Sequence, residues 1–194
     1  MRVAVLIDGG HLRACAKKAG KTYDNTFIEA FALACVESGE YLLRILYYDS
    51  PQFRGNVSLP VSGGTHSFQS SDRWLHDLAK RDKFAVRRGK LAFRGWSPKT
   101  VPIAGHALQD SDFKPNFEQK GVDMRIGLDI ATISDKRSVD RIVLVSGDTD
   151  MIPAMKHARK AGLEVVIVEP NPAQIHVHDT ILEHADERRI VTLP

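Results

Sequence analysis

Four apolar runs punctuate the chain, and an acidic or turn-forming residue closes each one. Val3–Ile7 ends on Asp8-Gly9-Gly10, and Tyr41–Tyr48 on Asp49-Ser50-Pro51. Arg141–Val145 runs into Ser146-Gly147-Asp148-Thr149-Asp150, and Leu163–Val168 ends on Glu169-Pro170. Short continuous apolar runs of this kind read as strands buried on both faces, as in a parallel sheet. Helical periodicity lies between them: His11 to about Lys18, a segment carrying Phe27, Phe31, Ala34 and Cys35, Val122–Ile133, and Met151–Ala161. Asp24 or Asn25 is placed to cap the second of these helices, and Gly39 and Gly162 to stop the second and fourth. A tail helix over Asp179–Asp186 and a short final strand over Arg189–Leu193 complete the pattern. Buried strands alternating with helices predict a three-layer α/β/α fold around a mainly parallel, doubly wound sheet.

From Gln52 to Lys120 this rhythm is lost. Gly55–Thr65 reads as an exposed loop, Ser71–Lys83 as a helix with Trp74, Leu75 and Leu78 on one side, and Ser97–Asn116 as a second loop. Phe84–Arg94 alternates apolar and polar residues around Gly89, which predicts a β-hairpin with a basic outer face. The expectation is one domain over residues 1–194, with a loop and hairpin insertion at about 52–119.

Composition changes this picture little. The chain has 194 residues, is 43% hydrophobic and 26% charged, and carries a net charge of +3, too small to imply a nucleic-acid partner by itself. The charge is local: Arg73, Lys80, Arg81, Lys83, Arg87, Arg88, Lys90, Arg94 and Lys99 face only Asp77 and Asp82 within their stretch. With Phe93 and Trp96 interleaved, such a surface can follow a phosphate backbone and stack a base; the competing reading turns those aromatics into the core. Cys15 and Cys35, the only cysteines, fall in apolar helical stretches and read as small buried hydrophobes of a reducing compartment. The opening apolar run is short and broken by Asp8, unlike a signal peptide or membrane span, so a cytoplasmic protein without membrane contact is expected.

The candidate chemistry is acidic. Parallel strands point one way, so Asp8, Asp49, Asp148, Asp150 and Glu169 gather along one edge of the sheet, where open α/β folds place their ligands. Clustered carboxylates repel unless a cation or proton offsets them, and hard oxygen ligands suit Mg²⁺ or Mn²⁺. In the helix after Lys120-Gly121, Asp123 lies in the first turn, near that edge; Asp129 is placed to anchor a hydrogen bond behind it. Asp150 directly precedes a helix and serves either as ligand or as N-cap. Asp49 and Glu169 read as turn chemistry outside the core site.

These residues also carry a resemblance. Ile7-Asp8-Gly9-Gly10-His11-Leu12, Lys120-Gly121-Val122-Asp123 with Leu128-Asp129, and Ser146-Gly147-Asp148-Thr149-Asp150-Met151 resemble, in order, the three signature blocks of the NYN family, nearest its LabA-like branch within the PIN-like nuclease superfamily. The resemblance implies a PIN-like fold and Mg²⁺- or Mn²⁺-dependent cleavage of RNA. It makes Asp8, Asp123, Asp148 and Asp150 the metal-site acids. Many relatives carry Asn where this chain has His11, whose imidazole can still hydrogen-bond or touch substrate. Ser146 and Thr149 are supporting candidates for holding phosphate or water, and Lys120 with Arg87, Arg88, Lys90 and Arg94 for binding substrate.

The expected partner is RNA, and nothing in the sequence opposes a homodimer. A second reading retains the acids in a weakly active or inactive RNA-binding or regulatory module. A small-molecule phosphohydrolase is a third; the haloacid-dehalogenase pattern needs a second Asp two residues after the first, where this chain has Gly10. The three-glycine dinucleotide fingerprint is also missing. His66, His76, His106, His157, His176, His178 and His184 receive no role, and Arg188-Arg189 reads as surface.

Overall fold

The computed structural model describes residues 1–103, 105, 107–172 and 175–194, so His106 and part of the expected 97–116 loop lie outside the described residues. Strands β1 (Arg2–Asp8), β2 (Tyr41–Asp49), β5 (Phe84–Arg88), β8 (Arg141–Val145), β9 (Glu164–Asn171) and β10 (Glu187–Thr192) form one sheet in the order β10-β9-β8-β1-β2-β5. Every neighbouring pair in it is parallel. Strand order reverses between β1 and β8, the kind of switch point at whose carboxyl ends α/β sheets open a crevice.

Alternation along β1 explains the layers. Val3, Val5 and Ile7 face one core with Leu12 of α1 (Gly9–Lys18), Phe27 and Phe31 of α2 (Asn25–Ala34), and Leu75 and Leu78 of α3 (Arg73–Ala79). Ala4 and Leu6 face the other core, with Val122, Ile126 and Ile130 of α4 (Val122–Asp135), Met155 of α5 (Ile152–Lys160) and Ile181 of α6 (Asp179–Leu182). A period of two sends successive side chains to opposite faces, and full burial of each large aliphatic side chain is worth about 1.5–3 kcal/mol. The result is the expected three-layer α/β/α arrangement. Asp24 caps α2 by accepting from the Phe27 N–H at 2.8 Å. Cys15 and Cys35 are free and buried; burial pushes their thiols up to about 11 and about 12, so both stay protonated at neutral pH. Among the described residues no helix is long and apolar enough to cross a membrane.

The middle of the chain departs from expectation. Phe84–Arg94 is no hairpin: β5 extends the main sheet beside β2, while β6 (Lys90–Pro98) pairs antiparallel with β7 (Phe113–Lys120). The chain passes from one sheet to the other at Gly89. A Cβ there would stand 2.6 Å from Ser50 Oγ, 2.7 Å from Val122 Cγ2 and 2.9 Å from the Lys120 carbonyl oxygen. That glycine serves close packing rather than a turn. Within the expected 55–65 loop, β3 (Gly55–Ser58) pairs antiparallel with β4 (Thr65–Phe68). Phe53, Phe68, Phe93, Trp96 and Phe117 pack between these ribbons, with ring centroids 5.4–6.3 Å apart. Trp96 Nε1 donates to the Ser58 carbonyl at 2.7 Å, so Phe93 and Trp96 are packing residues and not an open stacking surface.

Arg189 is likewise no surface residue. It is buried and donates to the Cys35 carbonyl at 2.7 Å and to Glu40 at 3.0 Å, tying β10 to the turn before β2.

Candidate metal centre

The site begins with two strand ends. Asp8 closes β1 and caps α1, its Oδ1 accepting from the N–H groups of Gly10 at 2.9 Å and His11 at 3.2 Å. The helix starts at Gly9, two residues before the sequence placed it, and that position has no room for a side chain: a Cβ would lie 2.4 Å from Tyr47 Oη and 2.8 Å from the Tyr48 carbonyl oxygen. After β8, the Ser146 hydroxyl is buried and accepts from the Asp148 N–H at 3.2 Å. Asp148 then caps a 3₁₀ turn over Thr149–Met151, its Oδ1 accepting from the Asp150 N–H at 2.9 Å. Capping therefore belongs to Asp148. Asp150 is exposed, and its carboxylate has no hydrogen bond among the described residues.

Asp8, Asp123, Asp148 and Thr149 line one cleft of ≈ 500 Å³ with Gly10, His11, Gln119, Val122 and Gly147. Burial, reinforced by the charges of Asp49 and Asp148, raises the Asp8 carboxyl above its ordinary value; the backbone hydrogen bonds from His11 and Gly10 oppose the rise. Burial followed by the charges of Asp148, Asp8 and Asp150 raises Asp123. Asp123 thus feels the charge of the other three acids, and among the described residues none of the four forms a salt bridge. The remaining strand-end acids differ. Asp49 is buried against Arg13, Tyr47 Oη at 3.0 Å and the Ser50 N–H at 2.7 Å. Glu169 is buried against Arg188, whose Nε donates at 2.7 Å, and His176.

His11 packs on the chain after β8: a Cβ on Gly147 would meet its Cε1 at 2.8 Å. Its Nε2 lies 3.7 Å from Cys15 Sγ, and burial lowers its pKa, so the imidazole is neutral at neutral pH. Asp129 stands outside the cleft. Its Oδ2 accepts from Tyr48 Oη and from Arg87 Nε, each at 2.9 Å, joining α4 to β2 and β5.

The basic residues singled out from the sequence do not line the cleft. Arg87 pairs with Asp129, Arg88 with Asp72 at 3.0 Å, Arg94 with Glu118, and Lys120 with Glu118 at 3.7 Å. Lys90 faces Lys120 across β6 and β7 and has no ion pair among the described residues. Gln119, conversely, lines the cleft without any sequence signal beyond its place before Lys120-Gly121-Val122-Asp123.

The donor set is hard oxygen and unneutralised, which fits a hydrated Mg²⁺ or Mn²⁺ ion. Among the described residues no three His, Cys, Asp or Glu side chains close into a ligand cage. Mg²⁺ keeps several of its waters and takes only one or two protein carboxylates, so an open set of acids suits it.

Known proteins resemble this chain in sequence or in fold. The chain is 32% identical over 69 residues to the uncharacterized protein y4oD of Sinorhizobium fredii (strain NBRC 101917 / NGR234); the match covers 36% of this chain and 32% of that protein, about a third of each. The crystal structure of VPA0982, a protein of unknown function from Vibrio parahaemolyticus RIMD 2210633, superposes with a TM-score of 0.55 at 16% identity, over 97% of this chain and 91% of that one; it shares the fold. The NYN domain profile matches residues 2–183, a span that takes in β1, α4 and the turn after β8, and by that match the chain belongs to the NYN domain family.

Proposed function

We propose that this protein is a divalent-metal-dependent endoribonuclease of the LabA-like branch, PIN-like in its superfamily, that hydrolyses RNA phosphodiester bonds at the acidic cleft. The observation that carries this reading is selective neutralisation. Asp49 and Glu169 have cationic partners, while Asp8, Asp123, Asp148 and Asp150, which include all the cleft acids, have none among the described residues. NYN proteins are generally nucleases, and divalent ions are typical of them.

One or two of Asp8, Asp123 and Asp148 would hold the ion directly and the rest of the three through its bound waters, with Asp150 at the rim. Bound there, Mg²⁺ or Mn²⁺ supplies positive charge for the scissile phosphate and lowers the pKa of water. The chain's own contribution is placement. Caps on the following backbone use Oδ1 of both Asp8 and Asp148, which fixes each carboxylate and leaves its Oδ2 without a hydrogen bond among the described residues. Neutral His11 and the Thr149 hydroxyl offer hydrogen bonds to substrate from the cleft wall.

The test is labelled RNA incubated with protein and Mn²⁺, Mg²⁺ or chelator. Asp8→Asn and Asp148→Asn are expected to lower cleavage by about 100-fold or more, since metal-supplied charge stabilisation is worth several kcal/mol, with unchanged circular dichroism. Parent-like cleavage by both variants would overturn the site. The open, uncaged acids favour one second reading, an RNA-binding module that scarcely turns over. It predicts RNA binding that weakens with salt and no cleavage with either ion.

A further inference from the structure

Beside the acidic cleft lies a second cavity of ≈ 440 Å³, and Gln119 lines both. Its walls come from α1, α2, α3 and the end of β2, closed by Leu91 of β6 and Gln119 of β7. The volume falls within the range of small-molecule sites, about 300–1,000 Å³. Three features define its chemistry. First, Trp74 is half-buried and makes an edge contact with Tyr47, ring centroids 6.3 Å apart, and its indole N–H has no hydrogen bond among the described residues. The chain's other tryptophan, Trp96, has its indole N–H bonded to Ser58. Second, Gln52 and Gln119 are exposed at the cavity, and neither side chain has a hydrogen bond among the described residues. Third, the cation at the wall is already balanced: Arg13 pairs with buried Asp49 and lies over the Tyr23 ring, 5.4 Å from its centroid.

An aromatic wall, aliphatic Ile28 and Leu91, an internally neutral ion pair, two free amides and the Asp24 carboxylate, whose Oδ1 caps α2, leave no unpaired cation among the described lining residues to select an anionic ligand. They suit a flat heteroaromatic group with donors and acceptors on its edge. Stacking on an aromatic side chain is the sequence-tolerant way to hold an unpaired base. A Gln amide, with a carbonyl acceptor and two N–H donors, pairs with base edges. We propose that this cavity is a nucleobase pocket for the RNA nucleotide flanking the scissile phosphate, with Trp74 as stacking wall and Gln52 and Gln119 reading the base edge. This deepens the ribonuclease reading and rests on it. Gln119 borders both sites, so a chain whose phosphate meets an ion at Asp8 and Asp148 has its neighbouring base beside the pocket. Unpaired RNA is then the substrate class, because a base inside a duplex cannot enter.

The pocket is testable without metal or turnover. In chelator, adenosine and uridine 5′-monophosphates are titrated into ¹⁵N-labelled protein, with the two indole signals assigned through Trp96→Phe. The Trp74 signal is expected to shift and the Trp96 signal to stay, while ribose 5-phosphate moves neither. Trp74→Ala should weaken nucleotide binding about 5- to 150-fold, the range of one lost base stack. Trp74→Phe should restore most of it, which separates stacking from folding, and Gln119→Ala should weaken it with the fold intact. In the cleavage arm, an abasic nucleotide is walked past the cut. At one flanking position it should raise KM as much as Trp74→Ala does, and the two losses should not add.

Ribose 5-phosphate binding as well as the nucleotides, or parent-like binding by Trp74→Ala and Gln119→Ala, would overturn the pocket. Cleavage with a KM indifferent to every abasic position also overturns it and leaves the ribonuclease reading intact. Nucleotide binding in chelator without RNA cleavage by any divalent ion overturns the ribonuclease reading and leaves the base pocket standing.

Discussion

Asp148 and Asp150 are one residue apart and do different work. The sequence offers Asp150 as the cap for the helix that follows, and geometry gives that role to Asp148 instead: the Asp150 N–H donates to the Asp148 carboxylate. Asp148→Ala is expected to cost about 0.5–2 kcal/mol, the usual price of a lost N-cap. Asp150→Ala should stay within about 0.5 kcal/mol, as exposed substitutions do. Equal losses of Tm in the two variants would reverse the assignment. Asp8 repeats the logic, since its carboxylate both caps α1 and lines the cleft. The sequence shows that these acids end strands, because an apolar run visibly stops at each. It cannot show which lone pairs the backbone uses, because capping depends on the local turn. Gln119 and Trp74 were illegible as cavity residues for a related reason: three-dimensional neighbours, not spacing, give them their setting.

Among the elements, the buried strands and their helices were legible because apolar runs and 3.6-residue periodicity reflect burial against layers on both faces. The pairing of β5 and β6 was not. Alternation around a glycine reads as a hairpin, yet β5 pairs with β2 in parallel and β6 with β7. Local pattern specifies an extended strand, while partner choice follows long-range packing, here the contact of Gly89 with Ser50, Val122 and the Lys120 carbonyl. Gly89→Ala tests that account. The new methyl sits under 3 Å from atoms of all three, two of them in side chains and one in backbone. Overpacking of this kind costs about 1–3 kcal/mol, or roughly 2–4 °C of Tm per kcal/mol in a chain of this size. Full parent stability would instead mark Gly89 as an ordinary turn glycine.

Across the whole molecule, the acids that close the buried strands are neutralised except at the cleft. Arg189, Arg141 and Glu40 interlock at the amino-terminal edge of the sheet, and Arg13 and Arg188 neutralise the acids flanking the site at the other edge. The unneutralised acids leave a thermodynamic signature. Asp8 and Asp123 are raised above 3.8, so the folded chain holds their protons to higher pH than the unfolded chain does. Their contribution to stability is therefore fully present below the ordinary value and is lost as pH rises through the raised ones. Other carboxylates, such as Glu40 and Asp140, are shifted down and act in the opposite sense, so the comparison must be between parent and Asp8→Asn. Asn preserves a cap acceptor and removes the charge. In chelator at about pH 8 the variant should melt above the parent, and the gap should shrink as pH falls through the raised values. A divalent ion reverses the order. Saturation at about 100 times Kd stabilises the parent by about 2.7 kcal/mol, roughly 5–10 °C at this size, while the variant gains less. A parent whose Tm is the same in chelator and in Mn²⁺ at that pH would show that the cleft acids hold no ion.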